Sequence, residues 1–263
     1  MTTNSNPSQL QHRPLLTIAY STLADRVGNI VLPEQRSDRE VLIIIQNLGG
    51  IALFDVPQRS DVRVLELQSR GVAKSRNEAL RQAKGKYLIF ADDDIIFKEA
   101  GLAAAVDYLE LNPNVAFVLG QAVDEHGRLR KNYATAVTRL THFNSAKAAT
   151  YEMLVRVDAS RSKNVWFDED FGAGATNYLG DEYIFIVDLI KAGLRCVFLP
   201  ATLAVHPAVS SGSIWGTERD LQARAIIFTR VFGIWSPFVR AAFGAKHLGR
   251  ELNFKRYLRF IRG

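Results

Sequence analysis

Short apolar runs alternate with longer stretches of mixed polarity along most of the chain. Leu15–Tyr20 (LLTIAY) and the β-branched Val41–Ile45 (VLIII) read as buried strands. Asp61–Leu67 (DVRVLEL) alternates polar and apolar positions and reads as a third strand. Val72–Lys84 sets Ala73, Ala79, Leu80 and Ala83 among charged residues and predicts a helix, with Gly85 as the glycine past its end. Lys86–Ala91 (KYLIFA) predicts a fourth strand, stopped by Asp92, Asp93 and Asp94. Lys98–Leu111 predicts a second helix that stops near Pro113, and Val115–Leu119 a fifth strand. Residues 124–150 are polar and irregular. Order resumes with Trp166–Gly174, a helix over Asp181–Ala192, and a strand Leu194–Leu199 ended by Pro200, with His206 just past it. Strands separated by helix-length segments predict an α/β fold with a mostly parallel, Rossmann-like central sheet flanked by helices. Ligands of such sheets bind at the carboxyl ends of the strands, where the three aspartates fall.

Composition narrows the class. Of 263 residues, 48% are hydrophobic and 23% charged, which excludes a disordered or low-complexity chain. The single cysteine, Cys196, rules out an intrachain disulfide and a cysteine-based zinc cage, and fits a reducing compartment. The longest purely aliphatic run, Val41–Ile45, is far too short to cross a bilayer. The first fourteen residues are polar, contain Pro7 and Pro14, and lack the apolar segment of a secretory signal. The expectation is a cytoplasmic protein with a disordered arm over 1–14, a catalytic body over 15–215 and a tail over 216–263.

The tail stands apart by charge. Residues 216–263 carry a net +7, whereas the rest of the chain carries −1. Phe228, Phe232, Trp235, Phe238, Phe243, Phe254, Tyr257 and Phe260 are threaded among its basic residues. Such interleaving suits an interfacial helix on an anionic membrane, or stacking on nucleic-acid bases. It also suits a solvated helical face, or aromatics that pack the tail onto the body, with room for a dimer.

Three consecutive aspartates repel one another, and a divalent cation relieves the repulsion. Hard carboxylate oxygens suit Mg²⁺ or Mn²⁺, which typically take one or two carboxylates plus substrate phosphates. In an extended segment Asp92 and Asp94 point to one side and Asp93 to the other, so the middle residue is left for another partner such as a ribose. An acidic turn capping the following helix would leave the same sequence trace.

The neighbouring motifs bear on this choice. Gly71-Val72-Ala73-Lys74-Ser75-Arg76-Asn77 precedes the first helix, and Gly85-Lys86-Tyr87 leads through an apolar strand into Asp92-Asp93-Asp94. Phe167-Asp168-Glu169-Asp170-Phe171-Gly172-Ala173-Gly174, Gly180-Asp181-Glu182, and Ala192-Gly193-Leu194 through Pro200 to His206 follow in order. The ordered set, spanning about Leu15 to His206, resembles the family 2 glycosyltransferases. The resemblance implies a GT-A fold and metal-dependent, inverting transfer of a sugar from a nucleotide-sugar to a saccharide or lipid-linked acceptor, as in bacterial-type surface polysaccharide synthesis. It implies that Asp92 and Asp94 hold metal (Mn²⁺ or Mg²⁺) and nucleotide, with Asp93 beside the nucleotide-sugar. Glu182, or failing it Asp181, would deprotonate the acceptor. Arg76 would face the diphosphate or pair with the aspartates, and His206 would add a metal or phosphate ligand.

Softer assignments surround these. Thr22 and Asp25 read as nucleotide contacts. Gln46-Asn47 stands where many family members have an aspartate, so Gln46 is the base- or ribose-facing candidate. Ser210–Ser213 could bind phosphate or form a loop, and Trp166 and Trp215 could stack on sugar or pack. With such a body, the tail is expected to bind an anionic membrane rather than nucleic acid, placing the enzyme on the inner face of the cell membrane. Two competing readings are a catalytically inactive nucleotide-sugar binder, suggested by the Gln46 and acid-pair departures, and a nucleic-acid-binding protein led by the tail.

Overall fold

A computed structural model describes residues 13–51, 57–207, 217–249 and 252–263. The Ser210–Ser213 stretch, Trp215 and residues 1–12 of the N-terminal arm lie outside the described residues. The arm's last two residues are tied down: Arg13 pairs with Asp158 at 2.9 Å, and Lys86 N–H donates to the Pro14 carbonyl.

The centre is a nine-stranded sheet. Its first half comprises β1 (Leu16–Leu23), β2 (Arg39–Gln46), β3 (Val62–Leu67) and β4 (Tyr87–Asp92), in the order β3-β2-β1-β4 and all parallel. The second half comprises the two-residue β5 (Ile96–Phe97), β6 (Val115–Val123), the two-residue β7 (Thr138–Arg139), β8 (Met153–Arg156) and β9 (Arg195–Val205). The order continues β4-β8-β6-β9-β5, with β7 on β9. β6 and β9 are parallel, while β8 runs antiparallel to both its neighbours. The long ladders are thus parallel and the short ones antiparallel, so the sheet is mixed.

The run VLIII is buried because the sheet is covered on both faces. Val41, Ile43 and Ile45 pack with Ile18, Ile89 and Leu102 on one side, the last from helix α2 (Glu99–Leu111). Leu42 and Ile44 face Leu80 of helix α1 (Val72–Gln82) on the other, where Phe185 and Leu189 of helix α4 (Asp181–Lys191) also pack. The short helix α3 (Val157–Ser162) follows β8.

Two local readings change. α1 ends at Gln82, and Gly85 does not cap it. A Cβ on Gly85 would lie 2.5 Å from the Thr17 backbone nitrogen, so glycine is needed for close approach to β1, where its N–H meets the Thr17 hydroxyl at 2.9 Å. The last strand does not stop at Pro200. β9 continues to Val205, and its pairing with β6 jumps from Leu119–Phe198 to Gln121–Thr202. Proline, which has no N–H for a ladder, falls within that irregularity.

Three helices follow: α5 (Glu218–Phe232), α6 (Ser236–His247) and α7 (Phe254–Arg262). A 3-10 turn at Gly233–Trp235 joins the first two. The stretch Glu218–His247 is long and apolar enough to cross a membrane by length and composition alone, although no purely aliphatic run in it is long. Its first half is nevertheless seated on the body. Ile227 and Val231 pack with Tyr183, Ile184 and Val187 of α4, and Arg230 pairs with Asp168 and Asp188 at 2.7 Å each. Phe228, Phe243 and Phe260 cluster between the three helices, with ring centroids 5.2–6.1 Å apart.

Candidate active site

A cleft of about 670 Å³ opens at the carboxyl ends of β1, β2 and β4. Thr22 comes from β1, Gln46 from the end of β2, and Asp92–Asp94 from the end of β4. The opposite wall is the start of α1, the loop after Phe171, and the first turn of α4. Gln46 accepts the Gly71 N–H at 2.7 Å and so fixes the start of α1. Asn77 clips the Phe167 block in place, donating to the Phe167 carbonyl at 3.0 Å and accepting from its N–H at 2.8 Å. Gly172, at φ +97, brings its backbone so close to Asp181 that a Cβ would sit 2.8 Å from that carboxyl carbon.

Arg76 is the electrostatic hub. It is buried, donates to Asp181, and lies 3.5 Å from Glu182 and 3.6 Å from Asp92. Burial works against its charge, but the three carboxylates outweigh burial and hold its pKa above the usual value. The same burial raises Asp92, against the pull of Arg76.

Asp181 and Glu182, adjacent at the start of α4, each shift the other's ionisation. Burial, then the Glu182 charge, push Asp181 up to about 8. Glu182 goes the other way: burial opposes its charge, but Arg76, Asp181 and Thr150 hold it below the ordinary carboxylate range. Of the pair, Asp181 is thus the member that holds a proton more readily and Glu182 the one more readily ionised. The more readily ionised partner is also the one open to the cleft, with 24% of the Glu182 side chain exposed against 4% of Asp181. Thr150 Oγ1 donates to Glu182 Oε1 at 2.8 Å.

The aspartate triplet splits as alternation predicts. Asp92 and Asp94 face the cleft, whereas Asp93 is buried with both oxygens engaged, one by Thr22 at 2.7 Å and the other by Arg26. Asp93 thus orients Thr22 and Arg26, and it also lines the cleft. His206 Nε2 lies 3.9 Å from Asp94 Oδ2. Its Nδ1 meets the Pro207 carbonyl at 2.8 Å, and its ring stacks on Tyr151 at 4.9 Å. With Nδ1 as donor, Nε2 presents a lone pair towards Asp94. Among the described residues no three acidic, histidine or cysteine side chains form a closed metal cage. One carboxylate and one imidazole at the mouth of a cleft do fit a divalent ion that completes its shell with phosphate oxygens.

Two residues stand off the cleft, Asp25 against expectation and Trp166 in line with its packing alternative. Asp25 is exposed and does not line the cleft; the 3-10 turn at Ala24–Asn29 turns it outward and sends Arg26 inward instead. Trp166 lies off the cleft, bonded to Asn164 and covered by Arg81 at 5.3 Å. Sequence reading missed Arg26, Arg70 and Tyr178, which line the cleft, and Thr150, which touches Glu182. Of these only Arg26 had a signal, since it stands in the first loop beside Thr22.

The glycosyl transferase family 2 model matches residues 44–165. A Haemophilus influenzae protein described as an uncharacterized glycosyltransferase is 28% identical over 108 residues, covering 34% of this chain and 37% of its own length. The structure of S. aureus TarS 1–349 in complex with UDP-GlcNAc superposes with a TM-score of 0.59 at 12% identity, covering 94% of this chain and 79% of that one. A second TarS structure, not restricted to 1–349, gives 0.57 at 13% identity, covering 90% of this chain and 44% of that one. The chain thus spans well under half the length of the curated relative. The three comparisons point the same way: residues 44–165 match the glycosyl transferase family 2 model, and the chain as a whole has the α/β architecture seen in TarS.

Proposed function

We propose that the protein transfers a glycosyl group from a nucleoside-diphosphate sugar to a hydroxyl acceptor, with inversion at the anomeric carbon. The observation that supports this most is the state of Glu182: ionised, open to the cleft, and fixed by Thr150 and Arg76 across from the aspartate cluster. In this reading Glu182 takes the acceptor hydroxyl proton as the oxygen attacks the anomeric carbon. The new carbon–oxygen bond forms as the bond to the diphosphate breaks, and the electron pair leaves on the nucleoside diphosphate. Protonated Asp181 keeps the negative charge of the acid pair on Glu182. Asp94 and His206, with Asp92 nearby, would hold a divalent ion, which when bound offsets the charge of the diphosphate. Thr22, Gln46, Arg26 and Arg70 line the side left for the nucleotide.

TarS has been solved with UDP-GlcNAc and with UDP, which makes a UDP-sugar the first donor to test. Surface polysaccharide or lipid-linked glycan synthesis is the process we assign to it. The test is release of free nucleoside diphosphate from a donor panel in the presence of Mn²⁺ and candidate acceptors. Turnover that Glu182→Gln abolishes, with donor binding retained, is the expected result. Donor binding without turnover by the wild type on any acceptor would favour the inactive binder.

A further inference from the structure

The helical region after Thr217 packs several aromatic residues inside and leaves Phe254 exposed at the start of α7, but it gathers one bare cluster elsewhere. Phe228, Phe243 and Phe260 are packed among the three helices. At the turn between α5 and α6 the opposite holds: Ile234 is 85% exposed, Trp235 64% and Phe238 69%, with the last two rings 6.0 Å apart. The cluster extends onto the body. Phe143, 77% exposed, stacks on Phe232 at 5.5 Å, and Phe232 adjoins the turn. Large apolar side chains scattered singly need no explanation, but four around one turn do.

The surroundings indicate what covers them. From Gly233 to Gly263 the sequence has seven Lys/Arg and a single acid, Glu251. Arg240 is buried and Arg256 and Arg259 pair with Glu218 of α5, while Lys246, Lys255 and Arg262 are exposed. A second copy would bring this net positive charge against its like. An anionic lipid surface complements both properties, taking apolar side chains into the acyl boundary and cations at the headgroups. A bilayer-spanning arrangement is disfavoured because Arg230 on α5 is committed to Asp168 and Asp188 of the body.

We propose that the α5–α6 turn, with Phe143 beside it, is a wedge that inserts into an anionic membrane surface and fixes the orientation of the catalytic body on it. This sharpens the charge-based expectation drawn from the sequence: the anchor is a particular apolar turn, the basic helices assist it, and one contact residue belongs to the body. The inference does not depend on the proposed transfer reaction, since it concerns a surface outside the cleft.

The test uses the full chain with phosphatidylcholine vesicles, with and without phosphatidylglycerol. Co-sedimentation with the anionic vesicles and a blue shift of tryptophan emission are expected, with the shift lost in Trp235→Phe. A Trp235→Ser/Phe238→Ser variant, both residues being solvent-exposed, should keep its thermal midpoint and its nucleotide-sugar binding. Its vesicle affinity should fall by about tenfold or more, because two buried aromatic contacts are removed. Phe143→Ser should weaken binding by a smaller factor. Absence of binding to anionic vesicles, or binding unchanged in the double variant, overturns the proposal. So does a concentration-dependent dimer that the double variant loses, which would make the cluster a self-association face. Binding to a single-stranded oligonucleotide but not to vesicles would overturn it in favour of nucleic acid.

Discussion

Thr150 donates its hydroxyl to Glu182 across 2.8 Å, from a 3-10 turn (Thr150–Glu152) that Glu152 ties to its surroundings. Glu152 is fully buried and accepts from Lys131 at 2.7 Å, from Tyr133, and from the Ala149 N–H at 3.0 Å. The hydroxyl thus fixes the rotamer of the ionised member of the acid pair. Thr150→Val should lower kcat by about tenfold with KM for the donor little changed, the scale of one hydrogen bond to a charged group. Thr150→Ser should restore the rate. Steady-state kinetics on the three proteins checks this, and an unaltered kcat in the valine variant would remove Thr150 from the site.

Replacing Glu182 by glutamine keeps its shape and removes its basicity. Transfer should fall by ~10²–10⁴-fold while donor affinity, read by calorimetry, stays near wild type. If Asp181→Asn proves the dead variant and Glu182→Gln the active one, the proton of the pair has been put on the wrong carboxyl.

Arg76 contacts three acidic side chains from within the protein, of which Asp181 holds a proton most readily. Arg76→Met keeps most of its volume and leaves Glu182 and Asp92 without their cation, which should cost roughly 3–5 kcal/mol of folding stability. Denaturant unfolding is the measurement; a loss below about 1 kcal/mol would mean that solvent or protonation replaces the arginine with little penalty.

The acid pair also makes stability depend on pH. Asp181 has a folded pKa of about 8, above its ordinary 3.8. The folded state therefore binds a proton more tightly than the unfolded chain across that interval. This contribution to stability is complete below about pH 4 and is lost as pH rises through about 8. Asp181→Asn should flatten that decline, so unfolding midpoints at pH 5 and pH 8 should lie closer together in the variant than in the wild type. Parallel profiles would argue that Asp181 is ionised throughout.

Asp94→Ala should weaken the stimulation of donor binding by Mn²⁺ without unfolding the protein, because its side chain is half-exposed, and His206→Ala should do the same with some loss of stability, because its ring stacks on Tyr151 of the core. Excess EDTA should reduce donor affinity of the wild type, and added Mn²⁺ should restore it. Donor affinity indifferent to both treatments would show that the cationic side chains suffice.

The sequence made the parallel half of the sheet legible because each strand there is a continuous apolar run and each crossover a helix. β8 escaped notice since four residues, MLVR, carry no period, and β9 was cut short because proline was read as a stop where the ladder has a bulge. At the site, acids announce themselves when clustered against expectation, as Asp92–Asp94 do, whereas Asp181-Glu182, an ordinary acid pair at a helix start, is legible only through the family resemblance. Thr150, Arg70 and Tyr178 did not, for a threonine, an arginine or a tyrosine in a polar stretch looks like any surface residue until the fold brings it to the cleft. Asp25 failed for a related reason: which of two neighbouring polar residues faces inward depends on a single turn of 3-10 helix.

The Asn77–Phe167 clip bears on how the protein acquires its site. Its two ends lie 90 residues apart, and the Arg76–Asp181 pair closes a still longer interval of 105. Contacts of such separation form late, after the entropy of closing large loops has been met. The segment matching the family, residues 44–165, stops just short of Phe167 and contains neither Asp181, Glu182 nor His206. The cleft is thus assembled jointly by the two halves of the chain. Nucleotide affinity should accordingly vanish together with global cooperativity during unfolding, which makes ligand binding a reporter of complete folding.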